Sequence, residues 1–279
     1  MLIGSFLVIS LAVAAGVCAA TGSFVTLTWA WLLPATLVGT FLVLAGLWYG
    51  MIVIMANAVD MEKEREKDSP FYRAVAMLTI NALIPILKVT IRTRGLEQTP
   101  KDGRFLLVCN HLSLLDPVML LAYFRKSQLA FISKRENNSM FLVGKLMHKM
   151  LCQLINREND REALKTIINC IRLIQEDKAS IGVFPEGYIH GDEKLHPFRS
   201  GVFKIAQKTK VPIVVCTLQN TQKVKKNMPH LKPTDVHLHL VGVVQPEELE
   251  GLTTVDVANR VHAMMAQDLG PELVLQENA

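Results

Sequence analysis

The chain has 279 residues, half of them hydrophobic, and a formal net charge of +5 at pH 7, a length that divides into one or two domains. That charge is unevenly spread: Met1 to Val59 contains no Asp, Glu, Lys, Arg or His, and the ionisable residues begin at Asp60. The five cysteines (Cys18, Cys109, Cys152, Cys170, Cys216) lack paired spacing, which excludes a disulfide framework and reads as buried reduced thiols. No basic stripe is interleaved with aromatics, so nucleic acid is not an expected partner.

In chain order, the charge-free part holds two long apolar stretches, "LIGSFLVISLAVAAGVCAA" from Leu2 to Ala20 and "WLLPATLVGTFLVLAGLWYGMIVIMANAV" from Trp31 to Val59. Roughly 20 apolar residues at 1.5 Å each cross a hydrocarbon core, so each stretch is long enough to span. The intervening "TGSFVTLTWA" suits a turn at the far interface, with Trp29 and Trp31 at headgroup level. Residues 1–59 are therefore expected to form a transmembrane hairpin anchor, returning the chain to its starting side. Lys and Arg in "DMEKEREKDSPFYR" mark that side as cytoplasmic. A cleaved signal peptide is the alternative for the first stretch. "AAGVCAA" resembles a cleavage site, but a basic n-region is missing and the run is long for an h-region.

Residues 60–98 read as a charged connector followed by a helix. In "FYRAVAMLTINALIPILKVTIRTRG", Phe71, Val75, Leu78, Ala82 and Pro85 fall near helical spacing. Arg73 and Pro85 interrupt it, and Lys88, Arg92 and Arg94 end it, which favours an interfacial helix over a third span.

From residue 99 to 279 short β-like runs alternate with helical ones. "RFLLVCN", "QLAFISK", "CQLINR", "SIGVFPEG", "VPIVVCTLQN" and "VHLHLVGVV" are the strand candidates. "DPVMLLAYFRK", with Asp116 and Pro117 at its head, opens the helices. "MFLVGKLMHKML", "NDREALKTIINCIRLIQED" with Asp160 as N-cap, "RSGVFKIAQKTK" and "TTVDVANRVHAMMAQDL" follow. The expected fold is α/β: a mostly parallel sheet flanked by helices, with sites at the strand C-termini.

"CNHLSLLDPV" places His111 five residues before Asp116, in the crossover after the first of those strands. A carboxylate there could orient the imidazole and leave its other nitrogen to accept a proton. No Ser or Cys sits in nucleophile context, Ser113 being suited to capping the turn, so the pair suits activation of a substrate hydroxyl. The bland alternative is that Asp116 caps the helix while His111 satisfies loop backbone. A second strand end, "GVFPEGYIHGDEKLHPFRSG", carries Glu186 and Gly187, then Lys194, His196 and Arg199 as donors suited to phosphate. A third, "CQLINREND", ends in Arg157.

"NHLSLLD" followed by "FPEG", with an Arg-bearing strand between them and "VPIVV" after them, resembles the glycerolipid acyltransferase family, in its 1-acylglycerol-3-phosphate acyltransferase branch. The likeness covers roughly Phe105 to Asn220 in four ordered segments. It implies a membrane-bound O-acyltransferase moving a fatty acyl group from acyl-CoA or acyl-carrier protein to the free hydroxyl of a lysophospholipid. His111 would be the general base and Asp116 its orienting partner. Asn110, Glu186 and Gly187 would lie in the substrate-binding turns, with Arg157 on the phosphate. The family continues "FPEG" with Thr-Arg-Ser, where this chain has Tyr188, Ile189 and His190. Leu151 stands in place of a Gly, and Val215 in place of a Pro. Lys194 or Arg199 could replace the missing Arg, or the acceptor could be another lysolipid or a lipid amine. A non-catalytic lipid-binding protein and a hydrolase remain the rival classes. No cofactor beyond the thioester co-substrate is implied, and no metal site is expected.

Three smaller features complete the reading. His237 and His239 share a strand face, but a third zinc ligand is missing. His190 and His196 read as solvent-facing. Lys204, Lys208, Lys210, Lys223, Lys225 and Lys226 are either a solvated face or an attraction to anionic lipid.

Overall fold

The computed structural model describes residues 1–63 and 67–275. Glu64, Arg65 and Glu66 of the expected connector, and the last four residues of the expected 99–279 domain, lie outside the described residues.

Helix α1 (Leu2–Ala20) and helix α3 (Trp29–Asn57) are each long and apolar enough to cross a membrane, with mean hydropathies of 2.4 and 2.2. Between them the one-turn helix α2 (Ser23–Thr26) is bracketed by Gly22 at φ +64° and Leu27 at φ +60°, which reverse the chain. The two long helices pack together, with Phe6 edge-on to Phe41 and to Trp48 at 6.1 and 6.5 Å between ring centres. The outward-facing Leu42, Val43, Leu47 and Ile54 remain exposed.

Helix α4 (Pro70–Ile86) starts where Ser69 Oγ accepts the Tyr72 N–H, with Pro70 in the first turn. At 17 residues it falls short of the two long helices. It is also not simply laid on a surface, because it joins the hairpin to the rest of the protein. Trp48 Nε1 donates to Thr79 Oγ1 at 3.2 Å, and Tyr72 Oη donates to the Met55 carbonyl at 2.9 Å. On the other side Arg73, which interrupts the apolar pattern in the sequence, is buried. Its guanidinium grips Asp68 through two bonds of 2.8 and 2.9 Å and also donates to the Leu129 carbonyl.

The expected helix over 71–95 ends early. Lys88 adopts φ +52°, and the chain turns into strand β1 (Val89–Arg94), which was missed. The sheet therefore begins ahead of the expected boundary at 99. β1 is an edge strand with only Val89 buried, so its alternation is faint in the sequence. Next come β2 (Leu106–Cys109), α5 (Asp116–Tyr123), β3 (Leu129–Lys134), α6 (Val143–Lys149) and β4 (Gln153–Ile155). Then come α7 (Asp160–Gln175), β5 (Ser180–Val183), α8 (Lys204–Thr209), β6 (Ile213–Gln219), α9 (Thr221–Asn227), β7 (Thr234–Val244) and α10 (Thr254–Leu269). The N-cap of α7 is Asn159, not Asp160: its side chain accepts the N–H groups of Arg161 and Glu162.

Among the described residues the strands form one seven-stranded sheet in the order β1-β7-β6-β2-β5-β3-β4. Every neighbouring pair is parallel except β6 with β7. Alternating side chains of β2 supply both faces. Leu106 and Val108 join a core with Ile181, Cys170 and Val261, while Leu107 and Cys109 join another with Met119, Leu120 and Ala76. The central strands β2 and β5 are buried throughout, which leaves their C-terminal ends as the exits toward the surface.

Arg73→Ala is expected to cost about 3–5 kcal/mol, because it strands the carboxylate of Asp68 in a buried position. Denaturant unfolding in detergent, followed by tryptophan fluorescence, would measure it.

Candidate functional site

Adjacent strands β2 and β5 end side by side, and the loops that leave them meet. His111 Nδ1 lies 2.9 Å from Asp116 Oδ2, and the same oxygen accepts the N–H groups of Leu112 at 2.7 Å and Ser113 at 2.8 Å. A carboxylate oxygen accepts, so Nδ1 is the donor in this pair and carries a proton. Asp116 is fully buried at the first position of α5, where the helix N-terminus also favours a carboxylate. Its other oxygen, Oδ1, has no hydrogen-bond partner among the described residues.

The ring itself is held by stacking. His111 lies on Phe184 with centres 4.1 Å apart and planes 16° apart, and Phe184 stacks in turn on Phe131 at 5.8 Å. This sandwich depends on Gly182 in β5, since a Cβ there would come within 2.5 Å of the Phe131 ring. Phe184, Phe131 and Gly182 were not singled out in the sequence. The only hint was a glycine inside a strand pattern, which signals close approach.

Glu186 joins the two loops. Its Oε1 accepts the His111 N–H at 2.7 Å, and its Oε2 accepts the His196 N–H at 3.1 Å. Both oxygens are thus spent on backbone, and the residue is only 4% exposed. Burial pushes the Glu186 carboxyl up to about 7, against the pull of those two N–H donors. Asn110, expected in a substrate-binding turn, is likewise turned inward. Its amide exchanges two bonds with the backbone of Leu218, at 2.9 and 2.7 Å, tying the end of β2 to β6.

Gly187 takes φ +84°, a left-handed turn open to glycine, and a Cβ there would lie 3.0 Å from Arg199 Nε. Arg157, from the end of β4, and Arg199 both approach the Tyr188 ring, at 5.0 and 5.3 Å from its centre. They line a cavity of about 140 Å³ with Asp160, Phe184, Pro185 and Gly187. Burial draws the Arg157 guanidinium below its ordinary range, Tyr188 opposes this, and the charge of Arg199 adds to it.

Lys194 is not drawn into the group: its backbone N–H donates to Asp192, and no side-chain bond links it to the site among the described residues. His190 and His196 are not simply solvent-facing. Their rings stack at 3.6 Å, and His196 Nε2 pairs with Asp192 at 2.9 Å. His239 pairs with the buried Asp268 and not with a metal set, its ring centre standing 6.1 Å from that of His237. The lysines at 204, 208, 210, 223, 225 and 226 are exposed. Two groups that could act as nucleophiles are otherwise engaged or inert. Ser113 Oγ accepts the Leu115 N–H, and burial pushes the Cys109 thiol well above its usual range.

Residues 88–219, which include His111, Asp116, Arg157 and Glu186, match the family model described as Acyltransferase. The family resemblance is to the acyltransferases. Among curated relatives, 1-acyl-sn-glycerol-3-phosphate acyltransferase BAT2, chloroplastic, of Brassica napus is 34% identical over 156 residues, or 55% of this chain. A 1-acyl-sn-glycerol-3-phosphate acyltransferase of Chlamydomonas reinhardtii is 32% identical over 210 residues, or 73% of this chain. The chain spans 44% and 61% of the lengths of those two relatives. The crystal structure of the 1-acyl-sn-glycerophosphate (LPA) acyltransferase PlsC from Thermotoga maritima superposes with a TM-score of 0.61 at 22% identity, covering 80% of this chain and 87% of that one. This acyltransferase-like fold is the expected one, a mostly parallel sheet flanked by helices and preceded by two apolar helices.

The position of Glu186 generates a pH effect. Its folded value of about 7 lies above the ordinary 4.5, so the folded protein holds a proton that the unfolded chain gives up. The stability this contributes is full below pH 4.5 and is lost as pH rises through 7. Thermal melting of the wild type should therefore fall over that interval more than that of Glu186→Gln. Equal slopes would return the carboxyl to its ordinary value. Separately, Gly182→Ala must displace Phe131, and should lower the melting temperature by an amount corresponding to about 1–3 kcal/mol.

Proposed function

We propose that the protein is a membrane-associated O-acyltransferase that moves a fatty acyl group from an acyl thioester to the free hydroxyl of a lysophospholipid, most simply 1-acylglycerol 3-phosphate, giving phosphatidic acid. The single observation that carries the reading is the His111–Asp116 pair, whose Nδ1 is pinned by an oxygen that two backbone N–H groups also hold. Among the described residues no Ser or Cys side chain hydrogen-bonds to His111, and Ser113 Oγ is turned to the Leu115 N–H, which suits direct transfer over an acyl-enzyme. The names of the relatives support the acceptor.

In this reading the acceptor hydroxyl sits at His111 Nε2. The oxygen attacks the thioester carbonyl carbon as its proton passes to Nε2, and the resulting imidazolium is stabilised by Asp116. Collapse of the tetrahedral intermediate breaks the carbon–sulfur bond. The thiolate of coenzyme A or of the carrier protein leaves and takes the proton back from the ring. Glu186 acts on position: one carboxylate sets the height of the base loop and of the turn that carries Arg157's neighbours. Arg157 takes the acceptor phosphate together with Arg199, which replaces the Arg missing from the turn. No cofactor beyond the thioester takes part.

Residues 1–59 serve as the anchor, and the catalytic part, from β1 onward, works on the cytoplasmic face. Two helices of spanning length and the exposed apolar face of α3 support this placement.

Labelled acyl-CoA and 1-acylglycerol 3-phosphate in detergent or vesicles give the test. The wild type should form diacyl product, and His111→Ala should lose about 10²–10⁴ of the rate while remaining folded. A folded His111→Ala that matches an active wild type would end the general-base role. Release of free fatty acid without lysolipid would point to a hydrolase instead.

A further inference from the structure

The turn after Glu186 departs from the family pattern directly beside the cavity that Gly187 lines. Where relatives of the resembled family have Thr-Arg-Ser, this chain has Tyr188, Ile189 and His190. The turn itself therefore brings no cation, and Ile189 is 40% exposed. What it brings is an aromatic face, and two guanidinium groups from distant segments come to it. Arg157 arrives from the end of β4 and Arg199 from the residue before α8's leading turn, at 5.0 and 5.3 Å from the ring centre. Among the described residues neither guanidinium donates a hydrogen bond or forms an ion pair, although both line the same cavity.

Two like charges do not gather without a cause. The negative face of the ring offsets part of their repulsion, and an anion in the cavity would offset the rest. Asp160 also lines the cavity, which leaves the two guanidiniums one positive charge in excess. The walls contributed by Ile132, Ile155 and Ile167 keep that charge poorly solvated, so it favours an anion with oxygens enough for both guanidinium groups. A phosphate monoester has both the charge and the oxygens for two planar forks.

We propose that Tyr188 is a positioning residue that determines acceptor specificity: its ring gathers Arg157 and Arg199 into one clamp for a phosphate monoester, replacing the cation the turn lacks. This rests on the acyl-transfer reading above. The ring acts through the arginines and touches no reacting atom, so it belongs to acceptor binding and not to the proton transfer at His111.

The test compares full-length wild type, Tyr188→Phe and Tyr188→Ala in detergent, with labelled acyl-CoA and two acceptors, 1-acylglycerol 3-phosphate and the uncharged 1-monoacylglycerol. Loss of the ring should raise KM for the phosphate acceptor by about 2- to 30-fold, as expected for cation–π contacts. The same variant should keep kcat and the KM for acyl-CoA within about twofold of wild type. Tyr188→Phe keeps the ring and should behave as wild type. The inference is overturned if Tyr188→Ala leaves KM for the phosphate acceptor unchanged. It is equally overturned if KM rises as much for the uncharged acceptor, or if Tyr188→Phe is as impaired as Tyr188→Ala. A wild type that acylates neither acceptor overturns the acyl-transfer reading and the clamp together. An active wild type with an unchanged Tyr188→Ala overturns the clamp alone.

Discussion

Glu186 is bound at both oxygens, and each bond goes to the backbone of a segment that carries another part of the site. The bond to the His111 N–H fixes the loop leaving β2, and the bond to the His196 N–H closes the long excursion that follows β5. This carboxylate and the stacking of His111 on Phe184 give the two loops their shared reference. The position is possible only because β2 and β5 are parallel neighbours, which brings both C-terminal ends to one edge of the sheet. It also explains why a buried carboxyl is tolerated there: two N–H donors replace the water it has lost.

From that anchor the His111 ring is held by overdetermination. Asp116 holds the ring nitrogen in the plane of the loop, Phe184 holds the ring face, and Glu186 holds the backbone amide of the same residue. Three contacts of different kinds leave the imidazole little freedom. The aromatic stack reaches down to Gly182, so a missing side chain in the centre of β5 has a consequence at the C-terminal end of β2. Preorganisation of this sort is what the general-base role proposed for His111 would call for.

The remainder of the molecule positions this edge relative to the apolar helices. α4 is the coupling element. One side of it donates and accepts with α3 through Thr79 and Tyr72, and the other buries Arg73 against Asp68 and the end of the β3 backbone. A polar network at each side, in an otherwise apolar helix, sets its rotation more narrowly than apolar packing would. The hairpin and the sheet are thereby joined through specific hydrogen bonds as well as through the chain.

Much of this was legible in the sequence. The charge-free first 59 residues, the alternation of buried strand runs with amphipathic helices, and the strand-end placement of His111, Asp116, Arg157 and Glu186 all follow from local pattern. Local pattern suffices for these because burial on both faces gives continuous apolar runs, and because parallel sheets keep their polar residues at strand ends. Tertiary structure decided what local pattern could not reach. Asn110 looks like a site residue until β6 is laid beside β2, whereupon its amide is spent on Leu218. β1 reads as the tail of a helix because an edge strand buries one residue in six and owes its existence to β7, some 140 residues away. Tyr188 reads as a departure from a motif until two arginines from separate loops converge on its ring. Sequence determines which residues stand at the ends of strands, since that depends on neighbours in the chain. Which of them face one another depends on strand order, and strand order is a property of the folded sheet alone.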